Sequence, residues 1–215
     1  MKTNIQYAQK LKKLFGILKK SAEKPKKLVY HNPVEAIIFA VLCENSTESN
    51  AKAALKKIQS HFVDFNDLRV SRPEETAEVI GSDIEEPEKC AVRLSLLLNA
   101  IFQKYDCLKL EDLTSGGKKG AKEILEKFNG MSGFVCNYCL LTVADAHTIP
   151  LTEKMIQYLK TYNIIDSSFD TEQIAAFIER QIPAANGYVF YALVRHDSEL
   201  ANPKAAQFLA EKKAK

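Results

Sequence analysis

Apolar residues recur along this chain at the three-and-four spacing of helices, and nowhere do they alternate with polar ones over the length of a strand. The densest apolar run, Ala36 to Cys43, follows Asn32 and Pro33. Asparagine caps helices and proline favours their first turn, so the run reads as a central helix through about Cys43. A second helix carries Ala51, Ala54, Leu55, Ile58 and Phe62 on one face. A short helix ends near Gly81, and a longer one begins at Pro87 with Ala91, Leu94, Leu97, Leu98, Ile101 and Phe102 turned inward. Ile124, Leu125 and Phe128 share one helical face, as do Val135, Cys136, Cys139, Leu140 and Val143 after them. Thr152 caps a helix bearing Met155, Ile156 and Leu159. Asp170 and Gln173 have the spacing of a capping box and open a segment that runs to Pro183. A further helix from about Ala185 and a lysine-rich tail complete an all-α reading.

Between the two amphipathic segments on either side of residue 130 lies Phe128-Asn129-Gly130-Met131-Ser132-Gly133-Phe134-Val135-Cys136. Glycines let such a turn take backbone angles closed to other residues, and the unpaired amides at the start of the second helix can then approach a phosphate. The same glycines also serve as a plain C-terminal cap in a helical hairpin that binds nothing. If the hairpin does grip DNA, it reads no sequence, because phosphate contacts position a protein without identifying bases.

Composition narrows the field. An apolar share of 46% over 215 residues is ordinary for a globular protein and excludes disorder. The longest apolar run stops at Glu44, too short to span a bilayer. Lys10, Lys12, Lys13, Lys19 and Lys20 interrupt any secretory leader, which implies a cytoplasmic location. Five cysteines, an odd number, argue for reduced thiols over a disulfide framework. Cys136 and Cys139 form a C-x-x-C pair, but their spacing puts both on an apolar helix face, where thiols pack as small hydrophobes. His31, His61, His147 and His196 are scattered, so no metal site is expected.

A net charge of +3 hides an uneven distribution. The first thirty residues hold nine lysines against Glu23 alone, while Asp64 to Glu88 holds nine carboxylates. Such asymmetry steers polyanions toward one face, or is simply a solvated surface.

The order of these elements resembles the helix-hairpin-helix DNA glycosylase superfamily, and endonuclease III in particular. The likeness begins at Pro33-Val34-Glu35-Ala36-Ile37-Ile38, continues through Val41-Leu42-Cys43-Glu44-Asn45-Ser46-Thr47-Glu48, and resumes through the hairpin and Leu151-Thr152-Glu153-Lys154-Met155-Ile156 as far as Arg195. It implies two α-helical lobes with a central helix-hairpin-helix element at about residues 121–145 and a DNA cleft between the lobes. Residues 33–146 would form the central lobe, and residues 1–32 with 147–215 the other. It also implies DNA contacts at Gly130, Met131, Ser132, Gly133 and Phe134, with Asn45 filling the space left by an extruded nucleotide.

Chemistry departs from that family. Endonuclease III-like enzymes place a nucleophilic lysine where this chain has Phe134, and an aromatic ring has no lone pair to offer a sugar carbon. Monofunctional members rely on an aspartate at the position of Thr152, whose hydroxyl carries no charge to oppose an oxocarbenium ion. Glu153 and Asp145 are the candidate substitute carboxylates, and Lys118, Lys119 and Lys122 are the candidate displaced amines. An iron-sulfur cluster takes thiolates, yet no cysteine follows Cys139, so none is expected. The resemblance therefore implies a duplex DNA-binding repair scaffold, directed to damaged or distorted sites, with its glycosylase and lyase chemistry lost. Two alternatives stay open at this point: an active monofunctional glycosylase with a displaced carboxylate, and a protein-interaction scaffold that keeps only the fold.

Overall fold

The computed structural model describes residues 2–30, 32–114 and 116–211. Among these there is no strand, and the chain runs through twelve α-helices. They fall into two compact units: Val29–Ala146, and Met1–Leu28 together with His147–Lys215.

The first of these holds α2 (Pro33–Glu44), α3 (Glu48–His61), α4 (Phe65–Val70), α5 (Pro73–Ile80), α6 (Pro87–Tyr105), α7 (Gly117–Leu125) and α8 (Gly133–Thr142), while α1 (Lys2–Ser21) precedes it in the other unit. At its centre is α2, buried on every side from Ala36 to Cys43 and packed against α3, α6 and α8. Asn32 fixes where α2 begins: its Oδ1 accepts from the Val34 amide at 2.9 Å and its Nδ2 donates to the Leu108 carbonyl at 2.7 Å. A cap of this kind contributes about 1 kcal/mol. In α6 the inward stripe holds Ala91, Leu94, Leu97, Leu98 and Ile101. Phe102 departs from that expectation, being half-buried with the Arg69 guanidinium 3.9 Å from its ring centroid. Arg69 arrives on α4, a six-residue helix whose cap, Asp64, accepts from the Asn66 and Asp67 amides. Six residues are too few for a period to register in sequence.

The second unit consists of α1, α9 (Glu153–Thr161), α10 (Thr171–Gln181), α11 (Gly187–Glu199) and α12 (Lys204–Glu211). Leu11, Leu14, Phe15 and Leu18 of α1 are buried against α10, α11 and α12, with Phe15 edge-on to Phe190 at 5.4 Å. The expected capping box opens α10. The helix expected from about Ala185 starts instead at Gly187, after a 3-10 turn at Ala184–Asn186. The lysine-rich end is not all tail: Ala205, Ala206 and Leu209 give α12 an apolar face that is buried. Residues 212–215 and His31 lie outside the described residues.

Candidate nucleic-acid interface

The hairpin is built by three local choices. The first helix, α7, stops at Leu125, so Phe128 lies in the turn rather than on the helix; it is buried, and its amide donates to the Leu125 carbonyl at 3.1 Å. Gly130 then takes φ +90°, a conformation that favours glycine. Ser132 caps α8, its Oγ accepting from the Val135 amide at 3.1 Å. The first amides of a helix have no partner within it. With Val135 engaged by the cap, the exposed start of α8 at Gly133 is where an outside acceptor would meet the helix. Met131 and Ser132 are half-exposed beside it.

Sequence reasoning missed the residue that holds this turn in place. Arg93, on α6, donates from Nε to the Gly130 carbonyl at 2.7 Å and pairs through Nη1 with Glu44. The remaining guanidinium nitrogen, Nη2, is buried without a hydrogen-bond partner. Glu44 is the last residue of α2, and Asn45, exposed, is its C-terminal cap. A single guanidinium therefore ties the hairpin turn to the end of α2 that presents Asn45. The pairing spans 37 and 49 residues of sequence, so nothing local marks it. One signal was available: Arg93 stands three residues after Cys90 and four before Leu97, a cation at the spacing of the inward stripe.

Phe134 does not face open solvent. It is 6% exposed and packs on Tyr138 at 6.1 Å between centroids. Tyr138 continues the cluster to Phe39 at 5.8 Å and to Tyr30, whose hydroxyl lies 2.5 Å from its own. Cys136 and Cys139 are buried on α8, and burial pushes the Cys136 thiol up to about 11 and that of Cys139 higher still. Protonated thiols of this kind pack and do not react. Asp145 ends α8 in the left-handed region at φ +46°, with the Ala146 amide reaching back to the Leu140 carbonyl at 2.9 Å. This bond folds the chain back over the last turn of α8, with Asp145 exposed at the bend. Lys119 and Lys122 lie along exposed α7 with Glu123 and Glu126 as their i+4 neighbours, and Lys118 is exposed as well.

In the other unit, Thr152 is buried and caps α9, its hydroxyl accepting from the Met155 amide at 3.3 Å. Glu153 is exposed and accepts from Gln157 of its own helix at 3.3 Å. The segment where the resemblance places cluster cysteines, Arg195 to Glu199, is occupied by internal polar pairs. Arg195, 1% exposed, donates to Glu199 at 2.7 Å and to the Tyr191 hydroxyl at 3.0 Å. Asp197 accepts from the Tyr158 hydroxyl at 2.5 Å, and burial, reinforced by this carboxylate, pushes the Tyr158 hydroxyl well above its ordinary range. Arg195 and Glu199 are engaged with each other and Asp197 with Tyr158, and none of them supplies the thiolate that an iron-sulfur cluster takes. Among the described residues no group of three or more histidine, cysteine, aspartate or glutamate side chains is placed to hold a metal ion. No helix among them is long and apolar enough to cross a membrane.

No family model matches the sequence, and no curated protein matches it. Solved structures do match. Endonuclease III in a non-covalent complex with DNA superposes with a TM-score of 0.76 at 15% identity, covering 97% of this chain and 99% of that one. A 3-methyladenine DNA glycosylase from H. pylori, bound to 1,N6-ethenoadenine, gives 0.68 at 18% identity over 90% of this chain and 97% of its own. The Clostridium acetobutylicum 8-oxoguanine glycosylase/lyase with double-stranded DNA also gives 0.68, at 16% identity, covering 90% and 70%. The fold is that of the helix-hairpin-helix DNA glycosylases, all-helical as the pattern of apolar positions implies.

Proposed function

We propose that this chain binds duplex DNA through the α7–α8 hairpin, on a base-excision-repair scaffold that has lost glycosylase and lyase chemistry, and that its target is a damaged or distorted site. The observation that carries the reading is the Arg93 brace, which holds Gly130 at φ +90° and joins the turn to the Asn45 end of α2. A hairpin needed only as a connector requires no half-buried guanidinium spanning to another helix. A phosphate at the start of α8 meets unpaired amides and the positive end of the helix dipole together. The DNA complexes among the matching structures support the same reading.

Loss of chemistry rests on what the two expected positions do. The Phe134 ring is buried against Tyr138 and supplies no lone pair. The Thr152 hydroxyl is engaged in capping α9 and is neutral. Glu153 and Asp145 are surface groups with local roles. No cofactor enters this reading, and neither does an iron-sulfur cluster. Asn45 would pair with a base left orphaned by distortion, since its amide both donates and accepts.

The clean test of the hairpin is Gly133→Glu. Substitution at Gly130 is confounded, because its φ strains any side chain and a Cβ there would meet Leu97 Cγ at 3.4 Å. At Gly133 a Cβ meets nothing within 4 Å, and a glutamate in the first turn of a helix is favourable by about 0.3–1 kcal/mol. The variant should therefore stay folded and lose affinity for undamaged, abasic and mismatched duplexes alike. Wild-type binding should fall steeply with salt. No salt-sensitive binding to any of the three duplexes would remove the DNA reading, and release of free base from a damaged oligonucleotide panel would remove the loss of chemistry.

A further inference from the structure

The unit without the hairpin carries a one-sided run of lysines on its first helix. At 100° per residue, Lys12, Lys13, Gly16, Lys19 and Lys20 of α1 fall within about 120° of the helix circumference, and all five are exposed. The apolar residues of the same helix, Leu11, Leu14, Phe15 and Leu18, are buried on the opposite side. No aspartate or glutamate occurs before Glu23, and among the described residues these four lysines form no ion pair. Lys19 stands 5.3 Å from the centroid of the Phe15 ring. Lys24 and Lys26 follow, exposed, on a non-helical segment that the Tyr188 hydroxyl holds by donating to the Lys26 carbonyl at 3.0 Å.

Gly16 gives this stripe a meaning beyond solvation. Glycine inside a helix weakens it relative to alanine, so a reason is wanted for its presence at the middle of α1. Packing within the chain supplies none, because a Cβ at Gly16 would meet nothing within 4 Å. Bare backbone between two lysine pairs instead leaves a shallow saddle open to solvent, with ammonium groups at both ends. Lys12 and Lys20 are separated by eight residues, about 12 Å along the helix. A DNA strand rises about 3.4 Å per phosphate, so the stripe spans about four consecutive phosphates.

We infer that the solvent face of α1 is a second nucleic-acid surface, on which Lys12, Lys13, Lys19 and Lys20 meet the phosphates of a strand that seats over Gly16. Charge complementarity selects the occupant. A membrane-surface helix must bury an apolar face in lipid, and here that face is already packed inside the protein. Ile5, on the lysine side and 60% exposed, is a single side chain. Protein interfaces need buried aromatic or aliphatic anchors, which a row of lysines does not provide. The inference stands on a different surface from the hairpin and does not depend on it.

The test replaces Lys12, Lys13, Lys19 and Lys20 together by glutamine, which keeps helix propensity, and measures fluorescence anisotropy of a short duplex against salt. Each ammonium that meets a phosphate contributes about 0.9 to the slope of log K against log salt, so the slope should shrink by about 3.6 if all four do. In a Gly133→Glu background, residual salt-sensitive binding should remain and should disappear with the four glutamines. If Gly133→Glu leaves binding unchanged while the glutamines reduce the slope, the hairpin reading fails and this one survives. An unchanged slope in a glutamine variant whose circular dichroism and melting match wild type would overturn the inference. So would loss of binding to phosphatidylcholine/phosphatidylserine vesicles alongside undiminished binding to the duplex.

Discussion

Replacing Arg93 by methionine keeps an unbranched apolar stem while removing both connections of its guanidinium. The hydrogen bond to the Gly130 carbonyl has a charged donor, a class whose loss costs about 1.5–3 kcal/mol. Glu44 would also lose its partner. Fully buried pairs cost about 3–5 kcal/mol to break, but the Arg93 and Glu44 side chains are 23% and 18% exposed, so water recovers part of that. The unpartnered Nη2 also leaves with the side chain, returning some desolvation cost. The net loss should be about 2–3 kcal/mol, which for a unit of this size lowers Tm by about 10 °C. Glu44→Gln removes charge but keeps an acceptor, and should cost about 1 kcal/mol.

Because both changes act on one guanidinium, the double variant should fall short of additivity by at least about 1 kcal/mol. Urea unfolding of the four proteins measures this directly. The second readout is duplex affinity, for which Arg93→Met should lose about tenfold, equivalent to about 1.4 kcal/mol, under conditions where it remains folded. Arg93→Lys tests the geometry, since one ammonium cannot reproduce the fork that serves Gly130 and Glu44 at once. Additive costs within about 0.5 kcal/mol, or unchanged affinity in folded Arg93→Met, would refute the brace.

Thr152→Ala should destabilise by about 1 kcal/mol through loss of the α9 cap, whereas Thr152→Asp should retain stability; equal melting of both with wild type would deny the cap. Alkaline pH should weaken the fold. Burial pushes the Cys90 thiol up to about 12 and Cys136 up to about 11 from an unfolded value of 9.0. The native state thus keeps protons that the unfolded chain releases. This stability is intact below about pH 9 and is lost as pH rises through the folded values; a urea midpoint that is the same at about pH 8 and about pH 10.5 would contradict it. In the native protein at about pH 8, Ellman's reagent should react quickly with half-buried Cys107 and slowly with the four buried thiols. Gly16→Ala should raise stability by about 0.8–1 kcal/mol while weakening duplex binding, and a gain in both would count against the α1 saddle.

What the sequence made legible follows from where the deciding interactions lie. The start of α2 was readable because Asn32, Pro33 and the apolar run are contiguous, and the start of α10 because Asp170 and Gln173 satisfy each other across three residues. The beginning of α4 was also marked, by Asp64, but six residues carry no period. Lysine near the C-terminus obscured α12, whose Ala205, Ala206 and Leu209 make a narrow stripe. Phe102 fitted the α6 stripe by spacing, yet Arg69 from another helix draws it into a cation–π contact at the surface. The Arg93 brace was out of reach for the same reason: its partners come from distant segments, and only the folded chain brings them together.

Under the proposed function, Phe134 and Thr152 exchange chemistry for packing without disturbing their helices. The two positions serve structure differently. Thr152 has a hydroxyl on a helix cap, which an aspartate would also provide, so the backbone there is indifferent to whether a charge is present. Phe134 is not interchangeable in this way. Its ring is the end member of a cluster with Tyr138, Phe39 and Tyr30, and an ammonium at a site 6% exposed would be desolvated. Restoring a lysine at Phe134 would therefore place it in surroundings made for an aromatic ring, which lower an amine's pKa but also cost the cluster its packing. Under the proposed function the route back to chemistry is thus asymmetric: the acid is one substitution away, whereas the amine requires repacking the start of α8.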